Sequence, residues 1–205
     1  MIGSGEPFFS VVTVSLNAVN GLRETRRSVE SQVGAVVEHV VKDGGSSDGT
    51  SSLLRKIENE KHVKVVCSKD SGIYDAMNQA VPYCQGMYLH FLNAGDTYRT
   101  TEALVKIHDF ALNTGLPEVV VVWYWNLAMN TVRTCPAKIS DWFLFRNFLC
   151  HPAVFIRRDC IEEEAYDSSF RLLGDQDLIY RLFFREKRRF IVLREALVNY
   201  EGSGV

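Results

Sequence analysis

Four times in the first half of the chain, a short β-branched or aromatic run is followed by a longer polar stretch with spaced apolar positions. That alternation limits the fold more than any other feature. Phe8–Val14 (FFSVVTV) has almost no polar alternation and reads as a strand buried on both faces. Asn20–Val33 carries Leu22, Val29 and Val33 among polar residues and predicts a surface helix. Val36–Lys42 is a second strand. Asp48 is the expected N-cap of a helix whose inner face presents Leu53, Leu54 and Ile57. Val63–Cys67 is a third strand, followed by a helix over Ile73–Val81 that stops near Pro82. Met87–Asn93 is a fourth strand, with a helix over Thr101–Asn113 after it. Repeated strand–helix alternation implies a parallel sheet with right-handed crossovers. Ligands of such sheets bind beyond the carboxyl ends of the strands. The polar clusters Asp43–Asp48, Asp70–Asn78 and Asn93–Asp96 should therefore converge on one rim.

The second half is less regular. Glu118–Met129, Ala153–Arg158 and Phe190–Leu193 read as strands, and Asp175–Glu186 as a helix with Leu178, Leu182 and Phe183 inward. A chain of 205 residues suits one α/β domain. Its 23 basic and 25 acidic residues nearly cancel, which argues against a nucleic-acid partner. The five cysteines form no CxxC pair and are expected to be buried free thiols. The N-terminus lacks the pattern of a signal peptide, and no apolar run reaches the roughly 18 residues of a membrane span. The expectation is a cytoplasmic protein. Phe143–Phe148 and Arg181–Phe190 mix phenylalanine with basic residues. A core-facing aromatic stripe is the expectation there, with peripheral contact at the inner face of a membrane as the alternative.

The loops narrow the chemistry. KDGGSSDGT has neither GxGxxG nor GxxxxGK[ST] spacing, so dinucleotide and P-loop sites are disfavoured. Asp43 ends the second strand and could contact a base or ribose, or simply close its own turn. Asp96, after the fourth strand, suits a hard cation such as Mg²⁺ or Mn²⁺, or else a turn. Asp175 and Asp177, at i and i+2 of a helix start, point different ways. One can face a cleft as a general base while the other caps the helix or binds Arg181. His151 could meet a phosphate, a metal or an acceptor, or be structural.

Taken in order, FSVVTVSLN, VVKDGGSSDGT, SKDSGIYDAMNQAV, GMYLHFLNAGD, HPAVFIRR and GDQDLIYRL resemble the inverting, family-two glycosyltransferases, closest to the bacterial surface-polysaccharide branch with its colanic-acid type. The resemblance runs from about Phe9 to Val205 and is thinnest over Thr97–Leu149. It implies a GT-A α/β fold: a mostly parallel central sheet flanked by helices, with a smaller acceptor-side half. Residues 1–205 would be one domain, with the nucleotide-sugar half over about 8–96 and the acceptor and catalytic-base half over about 97–205. Carried over by position, Val14 and Ser15 line the nucleotide pocket and Asn17 orders the loop beyond the first strand. Asp43 contacts the base. Asp75 and Asn78 lie near the ribose and diphosphate. Asn93–Asp96 match the DxD motif, with Asp96 holding Mn²⁺ or Mg²⁺. Asp175 is the catalytic base, and His151 and Asp177 are secondary residues on the acceptor side. The tail Asn199–Val205 closes over the donor. The implied partners are a UDP- or GDP-sugar donor and a glycan or lipid-linked acceptor. Gly95, Met77 and Gly44 depart from the commonest family pattern, which has an acid, an arginine and an acid there. Two other classes share parts of this pattern. One is a GT-A domain that binds nucleotide without turnover. The other is a sugar nucleotidyltransferase, which would need a basic triphosphate loop where TVSLNAVNG has no lysine or arginine before Arg23.

Overall fold

The computed structural model describes residues 5–161 and 165–202. Among them, the first half alternates as expected: β1 (Phe9–Ser15), α1 (Val19–Glu30), β2 (Val37–Asp43), α2 (Thr50–Ile57), β3 (Val63–Cys67), α3 (Ile73–Ala80) and β4 (Tyr88–Phe91). Then come β5 (Thr97–Tyr98), α4 (Ala103–Asn113), β6 (Val119–Asn126), β7 (Thr131–Arg133), α5 (Asp141–Arg146), β8 (Val154–Arg157), α6 (Gly174–Tyr180) and β9 (Phe190–Tyr200). All the strands join one sheet in the order β3-β2-β1-β4-β8-β6-β9-β5, with β7 paired to β6.

β1 to β4 are mutually parallel, and every residue of β1 is buried, as its unbroken apolar run requires. β8 then enters antiparallel between β4 and β6, and β5 closes the far edge antiparallel to β9. The sheet is thus parallel in the first half and mixed in the second. Phe91, Met77, Leu178, Ile179 and Leu182 pack in one core on one side of it, and Phe9, Tyr88, Leu104 and Phe155 in another.

Several sequence expectations need correction. Asp48 is not the N-cap of α2. Gly49 holds that place with φ +103°, and the Asp48 carboxylate instead accepts from Thr50 N and Val19 N, joining the starts of two helices. The last strand runs seven residues beyond Leu193. Its polar Arg194–Glu195 break falls at a register shift opposite Val122 and Trp123, so a bulge absorbs the break and Leu197 and Val198 return to the core. The helix expected over Asp175–Glu186 is α6 followed by a π-type turn, Arg181–Arg185. Cys67 is exposed and Cys150 half-buried, whereas Cys84, Cys135 and Cys160 are buried free thiols. Of the two aromatic stripes, Arg181–Phe190 faces the core, with Leu182 buried and Phe183, Phe184 and Phe190 packed against it. In Phe143–Phe148, by contrast, Phe145 and Phe148 are 77% and 65% exposed, the neighbouring Trp142 is 66% exposed, and only Leu144 of α5 is buried. None of the described helices is long and apolar enough to cross a membrane.

The start of the parallel layer is fixed by one buried carboxylate. Glu38 accepts from Ser10 Oγ, from the Gln85 and Gly86 amides and from Lys64 Nζ at 2.7 Å. Burial works to raise its pKa, but Lys64, Ser10 and the two amides outweigh it and hold the carboxyl below its ordinary value. A folded-state pKa below the unfolded one gives stability that is complete above the unfolded pKa and is lost as pH falls through the folded pKa. Glu38→Ala is expected to lower unfolding stability by about 2–3 kcal/mol at neutral pH, since the two amides would lose their shared acceptor. Urea titrations from pH 7 down through the carboxylate range should show the gap between wild type and variant narrowing as Glu38 protonates.

Candidate active site at the carboxyl ends of the strands

The loops after β1, β2 and β4 are stitched together at the rim. Gly44 N donates to Ser15 O and Ala94 N to Val14 O. Val14 is buried, and so is Ser15, whose Oγ has no partner. Asn17 adopts φ +51° and accepts from Ser47 N at 2.8 Å, while its own amide donates to Ser46 Oγ at 2.7 Å. The carboxylate of Asp43 accepts from Gly45 N, Ser46 N and Ser46 Oγ, so it closes its own turn. Lys42, fully buried, pairs with Asp70 at 2.7 Å and also donates to Ser68 O and Asp43 O. With every ammonium proton used, this buried pair welds the end of β2 to the loop after β3.

Asp75 and Asn78, expected near the donor, use their side chains on the protein. Asp75 reaches back to Ser71 N at 2.7 Å and also accepts from Gln79. Asn78 clasps Tyr166, donating to its carbonyl at 2.6 Å and accepting from its amide at 2.8 Å. Both side-chain groups are thereby occupied, and Asn78 pins α3 to the second half of the chain rather than presenting an amide to the rim. Asp177 forms the alternative ion pair with Arg181, at 2.9 Å.

The remaining polar residues converge on one imidazole. His151 lies in a short 3₁₀ turn just before β8. Its backbone N–H donates to Asp175 Oδ2 at 3.0 Å, and its Nδ1 lies 3.1 Å from the same oxygen. On the other side, Nε2 lies 3.0 Å from the Asn93 amide and 3.5 Å from Asp96 Oδ2. Burial alone would push the imidazole toward neutrality, but Asp175, Cys150 and Asp96 outweigh it and hold its pKa well above the ordinary histidine value. Asp96 is 3% exposed; its Oδ1 accepts from Glu201 N, and its Oδ2 has no hydrogen-bond partner. Asn93 Oδ1 and Asp175 Oδ1 are buried and unpartnered as well. These three oxygens, on residues that all contact His151, are of the kind that suits protons or hard cations.

Residues that sequence reasoning did not single out hold this cluster. Thr25 on α1 accepts from Gly95 N and donates to Asp96 O at 2.7 Å. His90 on β4 stacks on Phe155 and reaches Pro152 O at 3.1 Å, steadying the turn that carries His151. The Tyr74 ring covers Gly174, where an added Cβ would lie 2.7 Å from it, and stacks on Tyr166. Its place inside SGIYDAMN was the available signal. Cys150, His151 and Asp175 bring one ligand atom each within 4.8 Å of one another.

Residues 10–156 match the model of glycosyl transferase family 2. The chain belongs to that family. It is 30% identical over 182 residues to a PGL/p-HBAD biosynthesis glycosyltransferase of Mycobacterium bovis, covering 86% of this chain and 70% of that protein. It is 35% identical over 97 residues to the putative teichuronic acid biosynthesis glycosyltransferase TuaG of Bacillus subtilis, covering 46% of this chain and 38% of that one. Its fold matches S. aureus TarS in complex with UDP-GlcNAc at TM-score 0.80 and 19% identity, over 96% of this chain and 59% of that one. It also matches the mannosyltransferase PcManGT of Pyrobaculum calidifontis in complex with GDP-Man and Mn²⁺, at TM-score 0.73 and 14% identity, over 96% of this chain and 57% of that one. The chain thus spans about three fifths of these solved structures. The GT-A fold that the family resemblance implied is the fold observed.

The three departures from the family pattern have structural causes. Gly95 has φ +108°, and a Cβ there would run into the Glu201 side chain. A Cβ on Gly44 would lie 2.7 Å from the Asp70 carboxylate that Lys42 holds. Met77 is fully buried in the core, where a guanidinium would be stranded. Of the tail, Ser203–Val205 lie outside the described residues. Restoring the acid with Gly95→Asp is therefore expected to destabilise by about 1–2 kcal/mol, lowering Tm by roughly 4 °C. Gly95→Ala should show most of that loss, because the left-handed backbone rather than the charge is responsible. A melting curve of either variant that overlays the wild type would refute this account of the single-acid motif.

Proposed function

We propose that the chain transfers a sugar from a nucleoside-diphosphate sugar to an acceptor hydroxyl with inversion, and that Asp175 is the general base. The observation that carries this reading is the Asp175 carboxylate itself. One oxygen is held by the His151 backbone and ring, while the other is buried without a partner and free to take a proton. A held carboxylate next to an unpartnered one from the donor rim, Asp96, is what a single displacement needs. The base draws the proton from the attacking hydroxyl on one side while the diphosphate leaves on the other, and no covalent enzyme nucleophile is involved.

Family membership and neighbours crystallised with UDP, UDP-GlcNAc and GDP-Man support a UDP- or GDP-sugar as donor. Asp96 Oδ2 and Asn93 Oδ1 would hold Mn²⁺ or Mg²⁺, which suits two buried oxygens that have no donor of their own. Such a cation, when bound, offsets charge developing on the departing diphosphate. Val14, Ser15 and Asn17 would line the nucleotide pocket through the loop beyond β1, and Asp43 would shape its base end through its turn. Asp177, locked to Arg181, would keep α6 and hence Asp175 in place. His151 would orient the base. Relatives named for PGL/p-HBAD and teichuronic acid biosynthesis support a role in surface-glycan assembly. The colanic-acid type fits that role.

A lipid-linked acceptor used at the inner face of a membrane fits the exposed aromatic helix. Trp142, Phe145, Tyr180 and Phe184 line an open groove of about 550 Å³, and the Arg146 guanidinium lies over the Trp142 ring at 5.3 Å. Amphipathic aromatics beside arginine are what an interfacial anchor presents to anionic lipid.

Asp175→Asn should lower sugar transfer by a thousandfold or more, as general bases of this kind contribute on the order of 10²–10⁴ and the asparagine cannot take the proton. Binding of UDP or GDP in the presence of Mn²⁺, read by calorimetry, should be nearly unchanged. Wild-type turnover in this variant would remove the base assignment, and absence of nucleotide binding by the wild type at millimolar ligand would remove the donor reading. Separately, Trp142→Ser with Phe145→Ser should reduce binding to phosphatidylglycerol vesicles by roughly tenfold in flotation assays. Equal flotation of this double variant and the wild type would overturn the membrane contact.

A further inference from the structure

We propose that Cys150, His151 and Asp175 form a second metal site, selective for zinc, whose occupation takes the catalytic base out of use. The second half of that statement rests on the role proposed for Asp175; the site itself does not. Cys150 Sγ lies 3.9 Å from His151 Nδ1, which lies 3.1 Å from Asp175 Oδ2. All three ligand atoms fall within 4.8 Å of one another. A zinc ion with bonds of about 2.3 Å to sulfur and about 2.0–2.2 Å to nitrogen and oxygen holds such atoms roughly 3.3–3.6 Å apart, so closure needs a small shift between His151 and each partner and up to about 1 Å of movement of Cys150 Sγ toward Asp175. The fourth tetrahedral position would stay open for water.

A second observation comes from the far side of the ring. A histidine that binds metal through one nitrogen usually donates its other N–H to a carboxylate or amide oxygen. Nε2 of His151 lies 3.5 Å from Asp96 Oδ2, a buried oxygen with no hydrogen-bond partner. Asp96 is thus the carboxylate that stands ready to accept the Nε2 proton of a metal-bound His151. This places two kinds of cation site on opposite edges of one ring. Oxygen donors on the Nε2 side suit Mn²⁺ or Mg²⁺, while thiolate and imidazole on the Nδ1 side favour zinc over both. Cys150 is only half-buried, which leaves a way in. Binding releases two protons to solvent, one from the Cys150 thiol and one from Nδ1 of the charged His151 ring, in exchange for the sulfur–zinc and nitrogen–zinc bonds, and no electrons are exchanged. A zinc-bound Asp175 oxygen cannot accept a hydroxyl proton, so zinc would inhibit.

The test uses Co²⁺ as a spectroscopic stand-in on the full chain. The wild type should develop a near-ultraviolet thiolate-to-cobalt absorption that saturates near one ion per chain and is abolished by added Zn²⁺. Cys150→Ser should lack it, and Cys67→Ser should keep it, separating the site from the exposed thiol. A wild type without the band, or a Cys150→Ser protein that retains it, overturns the site. In the transfer assay with Mn²⁺, Cys150→Ser should keep wild-type turnover and need at least about tenfold more Zn²⁺ for half-inhibition. Wild-type transfer that persists at Zn²⁺ concentrations sufficient to abolish the cobalt band would overturn the inhibitory role. If the protein transfers no sugar from any donor, the enzymatic reading fails, while the cobalt spectra still decide the site.

Discussion

The imidazole of His151 is the contact on which the arrangement of the site depends. It is buried, and it touches a carboxylate from each half of the chain: Asp175 through Nδ1 and Asp96 through Nε2. Two carboxylates on opposite edges of one ring and shielded from water would each lose hydration. A ring held in its charged form between them offsets that loss for both. The halves are then no longer independent. β4 delivers Asn93 and Asp96, the turn before β8 delivers His151, and α6 delivers Asp175, and none of the three can shift without disturbing the others. Asn78 repeats the linkage at the back of the site by clasping the main chain of Tyr166.

The close approach of main chain to main chain at this junction explains why the acid count is low. Gly21 of α1 lies so near the Asn93–Asp96 loop that an added Cβ would be 2.9 Å from Gly95 N. Gly95 takes a left-handed φ and lies against Glu201, which itself donates its amide to Asp96. A second acid in this loop would bring a side chain and a like charge into space already filled by Glu201.

The sequence made the donor half readable because its signals are local. Each strand is an unbroken apolar run, and each polar cluster follows its strand directly, so periodicity alone places Asp43 and Asp96 on one rim. The second half hides its plan in long-range pairings. His151 meets Asp175 across 24 residues and Asn93 across 58, and nothing in the neighbourhood of HPAVF announces either partner. β9 is interrupted in sequence by Arg194–Glu195 but not in space, because a bulge against β6 carries the two residues outside the register. The two-residue β5 and three-residue β7 are too short for a periodic signal. Asp43 and Asp75 illustrate the opposite limit. Residue type and position were readable, but the structure binds both carboxylates to neighbouring backbone amides, an outcome that composition cannot distinguish from ligand contact.

The aromatic helix α5 gains its meaning from what holds it. The carbonyl of Leu144 accepts from Gln176 Nε2 at 3.2 Å and from the Tyr180 hydroxyl at 3.0 Å, and both donors belong to α6. Leu144 is buried and Phe143 packs against the same core, so these two positions anchor the helix while Trp142 and Phe145 project outward. α6 also carries Asp175. The outward-facing rings and the carboxylate thus sit on two helices joined by direct hydrogen bonds, α6 being braced further by the Asp177–Arg181 pair. An aromatic pair exposed to water costs hydrophobic stabilisation that a simple inward rotation of a helical turn would recover. The two hydrogen bonds from α6 forbid that rotation, so the exposure is imposed by the same helix that positions the carboxylate.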